Sequence, residues 1–410
     1  MGKVIIIGGG AAGMFCGVHA GRAGHQVHIY EKNEKLGKKL FITGKGRCNV
    51  TNNCAVEELF PAVMSNSKFL YSAFYTYNSQ DVMDFFEEAE VSLKTERGNR
   101  VFPCSDHSSD IIRALERELK KAGVSVHLNT PVKSLYVIDE KVCGIVLEDG
   151  TVKEADKVIV ATGGLSYPAT GSTGDGYRFA QETGHRIAQT APSLVPLETE
   201  EEYTHRMAGL SLKNVSLILK SGKKKIYEDF GEMMFTHQGI TGPMVLSASA
   251  KIGRYLEKAP VQALLDLKPA LSPEQLDSRV LREFDAAQNK QFKNVIGVLF
   301  PSSLTPVMLE LGGISPEKKI HEISREERLR FESIVKAFPF TVTGMGSFKE
   351  AVITRGGVSV RDIRPGTMES RIINNLYFIG EVLDLDAVTG GYNLQIAWST
   401  AYLAAKAINE

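Results

Sequence analysis

The sequence predicts an α/β fold: a sheet of parallel strands assembled from both ends of the chain and interrupted by a long insertion. Three observations predict it. A short apolar strand, a glycine cluster, a helix and a second strand fill the first 31 residues. Another short apolar strand, with glycines and a helix behind it, runs from Leu376 to Ile408. After about residue 190 the pattern changes to alternating apolar and polar residues and then to long helical stretches, which no longer reads as β-α-β.

In order, Lys3–Ile7 reads as a buried parallel strand, because four apolar, mostly β-branched residues stop at a glycine cluster. Ala11–Ala23 carries a helical pattern that Gly24 ends, and Gln26–Tyr30 is a second strand closed by Glu31. Residues 37–53 read as a polar loop rich in Gly and Asn. Gln80–Glu90 and Ser109–Ala122 look like amphipathic helices, with strands at Ser125–Leu128 and near Lys133–Ile138. Asp149-Gly150 between two strand-like runs is a hairpin signal. Lys157–Ala161 is a further buried strand, and Asp175–Thr183 a helix. Beyond residue 190, Leu210–Lys220 and Lys224–Asp229 alternate like paired strands, and Ser272–Gln288, Asn294–Leu311 and Arg325–Ala337 read as helical. The expected division is a nucleotide-binding domain of 1–190 and 342–410, a β-rich inserted domain of 191–270 and 312–341, and a helical subdomain of 271–311. The two terminal strands are expected to lie side by side.

Composition narrows the function. The 410 residues carry 48 Lys+Arg against 48 Asp+Glu. A formal charge of zero supplies no basic field for nucleic acid or an anionic membrane, so neither partner is expected. The five cysteines include no Cys-x-x-Cys pair, which argues against a disulfide framework or a metal site and suits a cytoplasmic protein. No apolar run approaches the length of a membrane span. Oligomeric state is not legible.

Gly8-Gly9-Gly10-Ala11-Ala12-Gly13 is a G-x-G-x-x-G between a strand and a helix. Gly8 allows the tight turn, Gly10 lets backbone approach a pyrophosphate, and Gly13 lets helix pack on strand. The helix start offers free N–H groups to phosphate. Glu31, at the end of the next strand, suits ribose hydroxyls. These features point to a Rossmann-like dinucleotide domain. The far end selects FAD over a nicotinamide: a strand ending in Gly380-Glu381, then Asp384, then Gly390-Gly391-Tyr392-Asn393-Leu394-Gln395 opening a helix. Such a helix start can stabilise negative charge on a reduced flavin. Thr162-Gly163, after the Lys157–Ala161 strand, marks a further turn toward the same cofactor, and the binding is expected to be non-covalent.

The string Gly44-Lys45-Gly46-Arg47-Cys48-Asn49-Val50-Thr51-Asn52, together with Phe235–Pro243 and Thr389–Gln395, resembles the signatures of the YhiN/BaiN-like flavoprotein family over essentially the whole chain. Members are described as aminoacetone oxidases and as bile-acid ring reductases. The resemblance implies a discontinuous FAD domain with an inserted β-rich domain and a small helical domain. It carries FAD contacts onto Ala12, Glu31, Glu381, Asn393 and Leu394, and onto Val132, whose backbone would pair with adenine. It also puts a basic residue facing phosphate near Lys38 and Lys39; Lys32, beside Glu31, is grouped with these cofactor residues. Three side chains are candidates for chemistry. Arg47 could steady a reduced flavin or a substrate carboxylate, or simply tie its loop. His237 and Tyr392 could donate protons, or could serve only their own turns. The expected activity is hydride exchange between flavin N5 and a small organic substrate, with an activated C=C bond or a small amine as the reacting group and NAD(P)H as a transient donor. A flavin-carrying binding factor without turnover is the alternative of another class. The insertion is expected to govern substrate.

Overall fold

The computed structural model describes residues 2–409, which divide into two compact units: one of residues up to Ser193 together with those from Ser347 on, and one of Leu194–Gly346. The first unit is built on five parallel strands: β1 (Lys3–Ile7), β2 (Gln26–Tyr30), β3 (Ser125–His127), β4 (Lys157–Val160) and β5 (Leu376–Phe378). Their order across the sheet is β5-β4-β1-β2-β3. Counted along the chain that is 3-2-1-4-5, the doubly wound order whose reversal, between β1 and β4, opens a crevice at the carboxyl ends of the strands. Helix α1 (Ala11–Arg22) follows β1, and helix α2 (Tyr392–Ala407) follows β5. The two helices pack on each other. Val4, Ile5 and Ile6 of β1 are fully buried, as a strand covered on both faces must be.

The expected neighbours β1 and β5 are separated. β4 lies between them, with Ile6 opposite Ile159 and Ile159 opposite Tyr377. Crossover connections, rather than chain order, set which parallel strands touch. The expected loop at 37–53 is also partly ordered: Lys38–Ile42 is a short helix, and Thr51–Asn52 pairs with Arg100–Pro103. Its apolar members Leu40, Cys48 and Val50 are buried, and that burial organises the segment despite its glycines.

In the second unit six strands close a barrel: Leu197–Thr199, Gly239–Thr241, Lys224–Thr236, Ser211–Ser221, Val261–Asp266 and Phe338–Met345. The second predicted strand runs on to Thr236 rather than ending at Asp229. The predicted Asn294–Leu311 helix is broken into single turns at Phe292–Asn294 and Ile296–Val298 and a helix at Thr305–Leu311. Pro301 keeps the last of these turns from running on into the Thr305–Leu311 helix, because its ring and missing N–H cannot continue a preceding turn. Within the span 312–341 expected to go with the β-rich part, Arg325–Lys336 is a helix that packs both on the Pro273–Asp285 helix and on the barrel strands Val261–Asp266 and Phe338–Met345. No helix among the described residues is long and apolar enough to cross a membrane.

Candidate functional site

The carboxyl ends of β1, β4 and β5 carry three glycine-containing turns that touch one another. Gly8 sits at φ +107°, and a Cβ there would lie 2.5 Å from the Ala161 carbonyl oxygen. A Cβ on Gly13 would lie 1.9 Å from the Gly8 carbonyl oxygen. Only hydrogen fits at either place, which explains the spacing of the motif in steric terms. Gly10 differs: nothing lies within 4 Å of where its Cβ would be, so the space in front of α1 is open. Gly380 faces Ala12, with 2.9 Å between a Cβ on the first and that of the second. The N- and C-terminal motifs therefore meet at one crevice.

Two long helices begin at this edge without side-chain caps. Gly10 is the N-cap of α1 and Gly391 that of α2, and neither start receives a side-chain hydrogen bond. The N–H groups of their first turns, Ala12 and Gly13 in α1 and Asn393 and Leu394 in α2, have no carbonyl to bond within the helix. They carry the positive end of each helix dipole. On the neighbouring turn Thr162 Oγ1 is buried without a hydrogen-bond partner, as is the Tyr177 hydroxyl. Gly163 stands beside Ser172 Oγ. Unpaired donors at two helix starts, orphaned hydroxyls and an open space before Gly10 fit a large anionic ligand with two phosphates.

Glu31 directly follows β2 and is buried, and its carboxylate accepts from Gly9 N at 2.7 Å and from the Asn33 backbone N–H at 2.8 Å. The Asn33 amide donates to the same oxygen at 2.7 Å. The acid is thereby aimed along the glycine loop. Val132 starts the Val132–Ile138 strand opposite Leu147. Its side chain is buried, so it offers only backbone.

The expected cations are engaged with carboxylates. Lys32 Nζ pairs with Asp175 Oδ2 at 2.6 Å and bonds Thr173 Oγ1 at 2.5 Å. Lys39 Nζ pairs with Glu381 Oε2 and bonds Ser166 Oγ, both at 2.5 Å. Glu381 also accepts from Ser166 Oγ at 2.5 Å and from Thr354 N at 2.9 Å. These groups tie the turns after β4 and β5 to the short helix after β2. Fixed carboxylates thus lie within reach of both ammonium groups. Asp384 is half-buried and accepts from Asn66 Nδ2 through its carbonyl and carboxylate oxygens, at 2.8 and 2.9 Å. Burial raises its pKa and that of Asp386, whose Oδ1 is buried without a partner.

The Arg47–Asn52 loop and the start of α2 form one assembly. Asn52 Nδ2 donates to the Gly390 carbonyl at 2.9 Å, and Thr51 Oγ1 to Gln395 Oε1 at 2.5 Å. Trp398 Nε1 donates to the Val50 carbonyl at 2.9 Å. Gly391, at φ +99°, has Thr51 backbone 2.4 Å from where a Cβ would sit. Asn393 turns its amide back on its own loop, accepting from Ala387 N at 2.9 Å and donating to the Ala387 carbonyl at 2.8 Å. Only its backbone N–H is left for a ligand, and Leu394 likewise packs its side chain on the core.

Of the three chemical candidates, Arg47 is committed elsewhere. It bonds Glu96 at 2.5 Å and Asp106 at 2.6 Å, and its guanidinium stacks 4.1 Å from the Phe102 ring centroid. Its fork is occupied by two carboxylates of neighbouring segments, the arrangement of the loop-tying role among those expected of it. Cys48 is buried in a left-handed backbone conformation, and burial pushes its thiol up to about 12. Tyr392 opens α2 with its ring against Gly390, and burial raises its pKa. His237 belongs to the other unit, exposed in the turn between Lys224–Thr236 and Gly239–Thr241. The side chains that sequence reading missed are Asn33, Ser166, Thr354 and Asp386. Ser166 stands three residues after Gly163 and could have been sought there. Thr354 comes from a distant strand and carries no local signal.

A family model for the HI0933-like protein Rossmann domain matches residues 2–407. The chain belongs to the HI0933-like family. A 3-dehydro-bile acid delta(4,6)-reductase of Clostridium scindens is 31% identical over all of both chains. A ribosomal RNA dihydrouridine synthase of Haemophilus influenzae is 32% identical over 99% of this chain and 98% of its own. Among solved structures, 3-ketosteroid delta1-dehydrogenase from Sterolibacterium denitrificans has a TM-score of 0.55 at 14% identity, covering 100% of this chain and 99% of its own. The strings at 44–52, 235–243 and 389–395 thus resemble the right family. This HI0933-like chain is a flavin-dependent oxidoreductase, and FAD is its cofactor. The exclusion of nucleic acid from overall charge is not supported, because relatives of near-equal identity are named for action on ribosomal RNA. A net charge averages over the whole surface and does not describe any one patch of it.

Proposed function

We propose that this chain reduces a carbon–carbon double bond conjugated to a carbonyl group. The observation that carries the reading is the pair of uncapped helix starts at one sheet edge, α1 beside Gly8–Gly10 and α2 beside Gly390–Gly391. The first suits a pyrophosphate, and the second suits the charge that a flavin pyrimidine carries when reduced. Glu31 would bind the adenosine ribose, Val132 backbone the adenine edge, and the Ala12 and Gly13 amides the phosphates. Thr162, Gly163, Gly380 and Glu381 would line the ribityl chain, with Lys39 and Lys32 neutralised beside it and Asp384 behind. The Asn393 and Leu394 amides would face the pyrimidine.

Held by these residues, a flavin reduced by a transiently docking nicotinamide carrier would supply hydride to the acceptor. The names of two relatives support the choice of acceptor. A delta(4,6)-dienone and the uracil ring of uridine both present a C=C bond polarised by a carbonyl. The β carbon would take the hydride and the α carbon a proton. Tyr392 is the chain's donor: its phenol is raised by burial, so it holds its proton across the neutral range. The loop anchored by Arg47 and Asn52 keeps that tyrosine's turn in place.

The test is to reduce the yellow protein anaerobically and mix it with a 3-oxo-Δ4,6 steroid or with uridine-bearing RNA. Reoxidation of the flavin by either, with saturated product, is expected. Tyr392→Phe should slow it by roughly 10²–10⁴-fold at unchanged flavin content. Reoxidation by oxygen alone, with neither acceptor consumed, would sink the reading.

A further inference from the structure

The Leu194–Gly346 unit contains a cleft of about 630 Å³ beside the Pro273–Asp285 helix, outside every residue assigned above. Its walls include the apolar Leu271, Leu276, Leu299 and Val335. Its charge is one-sided: Lys268, Arg279 and Arg282 line it, against the single carboxylate of Glu274.

Among the three cations, a neighbouring carboxylate compensates Arg279 alone. Asp266, the acid nearest Lys268 in sequence, pairs its carboxylate with Lys336 Nζ at 2.6 Å and accepts the Lys268 backbone N–H at 2.9 Å. The Lys268 ammonium lies instead 6.0 Å from the Phe300 ring centroid. Burial and the nearby Arg279 both lower its pKa, the mark of a cation without a compensating anion. Arg279 meets Glu283 at 2.9 Å on its own helix. Among the described residues Arg282 makes no ion pair. Glu274 is turned to its helix start, where Ser272 Oγ donates to it at 2.6 Å.

We infer that this cleft docks a single strand of RNA, with phosphates on Lys268, Arg279 and Arg282. Three cations lining one cleft, only Arg279 of them already paired with a carboxylate, suit several phosphates better than one carboxylate, which a single arginine would satisfy. Val298, on the rim and 61% exposed, gives bases an apolar surface. The only aromatic ring of the lining, Phe300, is buried, so binding should follow the backbone rather than read bases. The inference rests on the proposed reduction only for the choice of a uridine-bearing strand.

The experiment measures anisotropy of a labelled, uridine-containing RNA of roughly 12 nucleotides, within the span of single-strand grooves, across a salt series with the flavin-loaded protein. Three phosphate contacts predict a log–log salt slope of about −2. Lys268→Ala/Arg279→Ala/Arg282→Ala should flatten it and weaken low-salt binding roughly tenfold, with flavin content and melting unchanged. Should the triple variant misfold, Arg282→Glu alone is expected to weaken binding in the same direction. Equal binding by wild type and variant, no RNA binding at all, or displacement of RNA by uridine monophosphate at equal phosphate concentration would overturn the inference. Enone turnover without RNA binding would overturn this inference alone. RNA binding without turnover on any conjugated acceptor would overturn the proposed reduction alone.

Discussion

The starts of α1 and α2 face the same crevice, yet they are built in opposite ways. The first is reached from β1 through three consecutive glycines, and its shape is dictated by backbone meeting backbone, Gly13 on Gly8 and Gly8 on Ala161. The second is reached from β5 through a longer loop held by side chains: Asn393 on Ala387, Asn52 on Gly390 and Trp398 on Val50. The first start is a local steric device and the second is a tertiary one. They should fail differently when damaged.

The largest expected effect is at the steric start. Gly13→Ala puts a methyl group 1.9 Å from the Gly8 carbonyl oxygen, so the loss should reach or exceed the ~3 kcal/mol typical of severe overpacking. At Gly10 a Cβ meets no protein atom within 4 Å, so Gly10→Val starts without the backbone clash of Gly13→Ala. It should fold with a near-normal melt and lose FAD, because the branched side chain fills the space the pyrophosphate needs. Paired thermal melts and flavin assays check this. A Gly10→Val protein that is yellow, or as unstable as Gly13→Ala, breaks the distinction.

A smaller effect is expected at the tertiary start. Asn393→Ala removes two bonds to Ala387 that fold the loop onto α2, which should cost about 1–3 kcal/mol. Flavin should be retained but released more readily, since the backbone amides remain and only their aim is loosened. Denaturant melts and FAD dissociation rates would show it. Loss of all flavin would mean the side chain itself binds.

What was legible follows the same division. The Gly8–Gly13 spacing, the strands at Lys3–Ile7 and Gln26–Tyr30 and the acid at Glu31 could be read because each is a short-range demand of backbone geometry. The Arg47–Asn52 string could be recognised as a motif, but its work could not be read. Its contacts are with Glu96, Asp106 and the start of α2, between 49 and 348 positions away. The same holds for Lys39, whose partner Glu381 lies 342 positions on. Pairing of charges across such distances is settled by packing, and no local pattern announces it. The barrel was legible only as alternation, because its closing strand, Leu197–Thr199, is three residues long.

The smallest effect concerns Arg47. Glu96 and Asp106 are held below the usual carboxylate range chiefly by hydrogen bonds from Arg47 and Lys94. Their stabilisation is present above the unfolded carboxyl pKa and is lost as pH falls through the depressed folded values. The pairs are about one-third exposed, so solvent screens most of this. Arg47→Ala should therefore narrow the gap between neutral and acid melting temperatures slightly, with flavin content preserved at neutral pH. Wild type and Arg47→Ala melting alike at every pH would remove the anchoring role.

The position of β5 has a consequence for how the protein is made. β5 and α2 are synthesised after the whole Leu194–Gly346 unit, yet β5 must insert beside β4 in a sheet whose other strands left the ribosome long before. At cellular elongation rates the wait is on the order of ten seconds or more. During it the Leu194–Gly346 unit can fold, while the β4 edge stays open. A nascent chain therefore has one half of a flavin seat and no means to close it, and cofactor loading becomes one of the last events of its biogenesis.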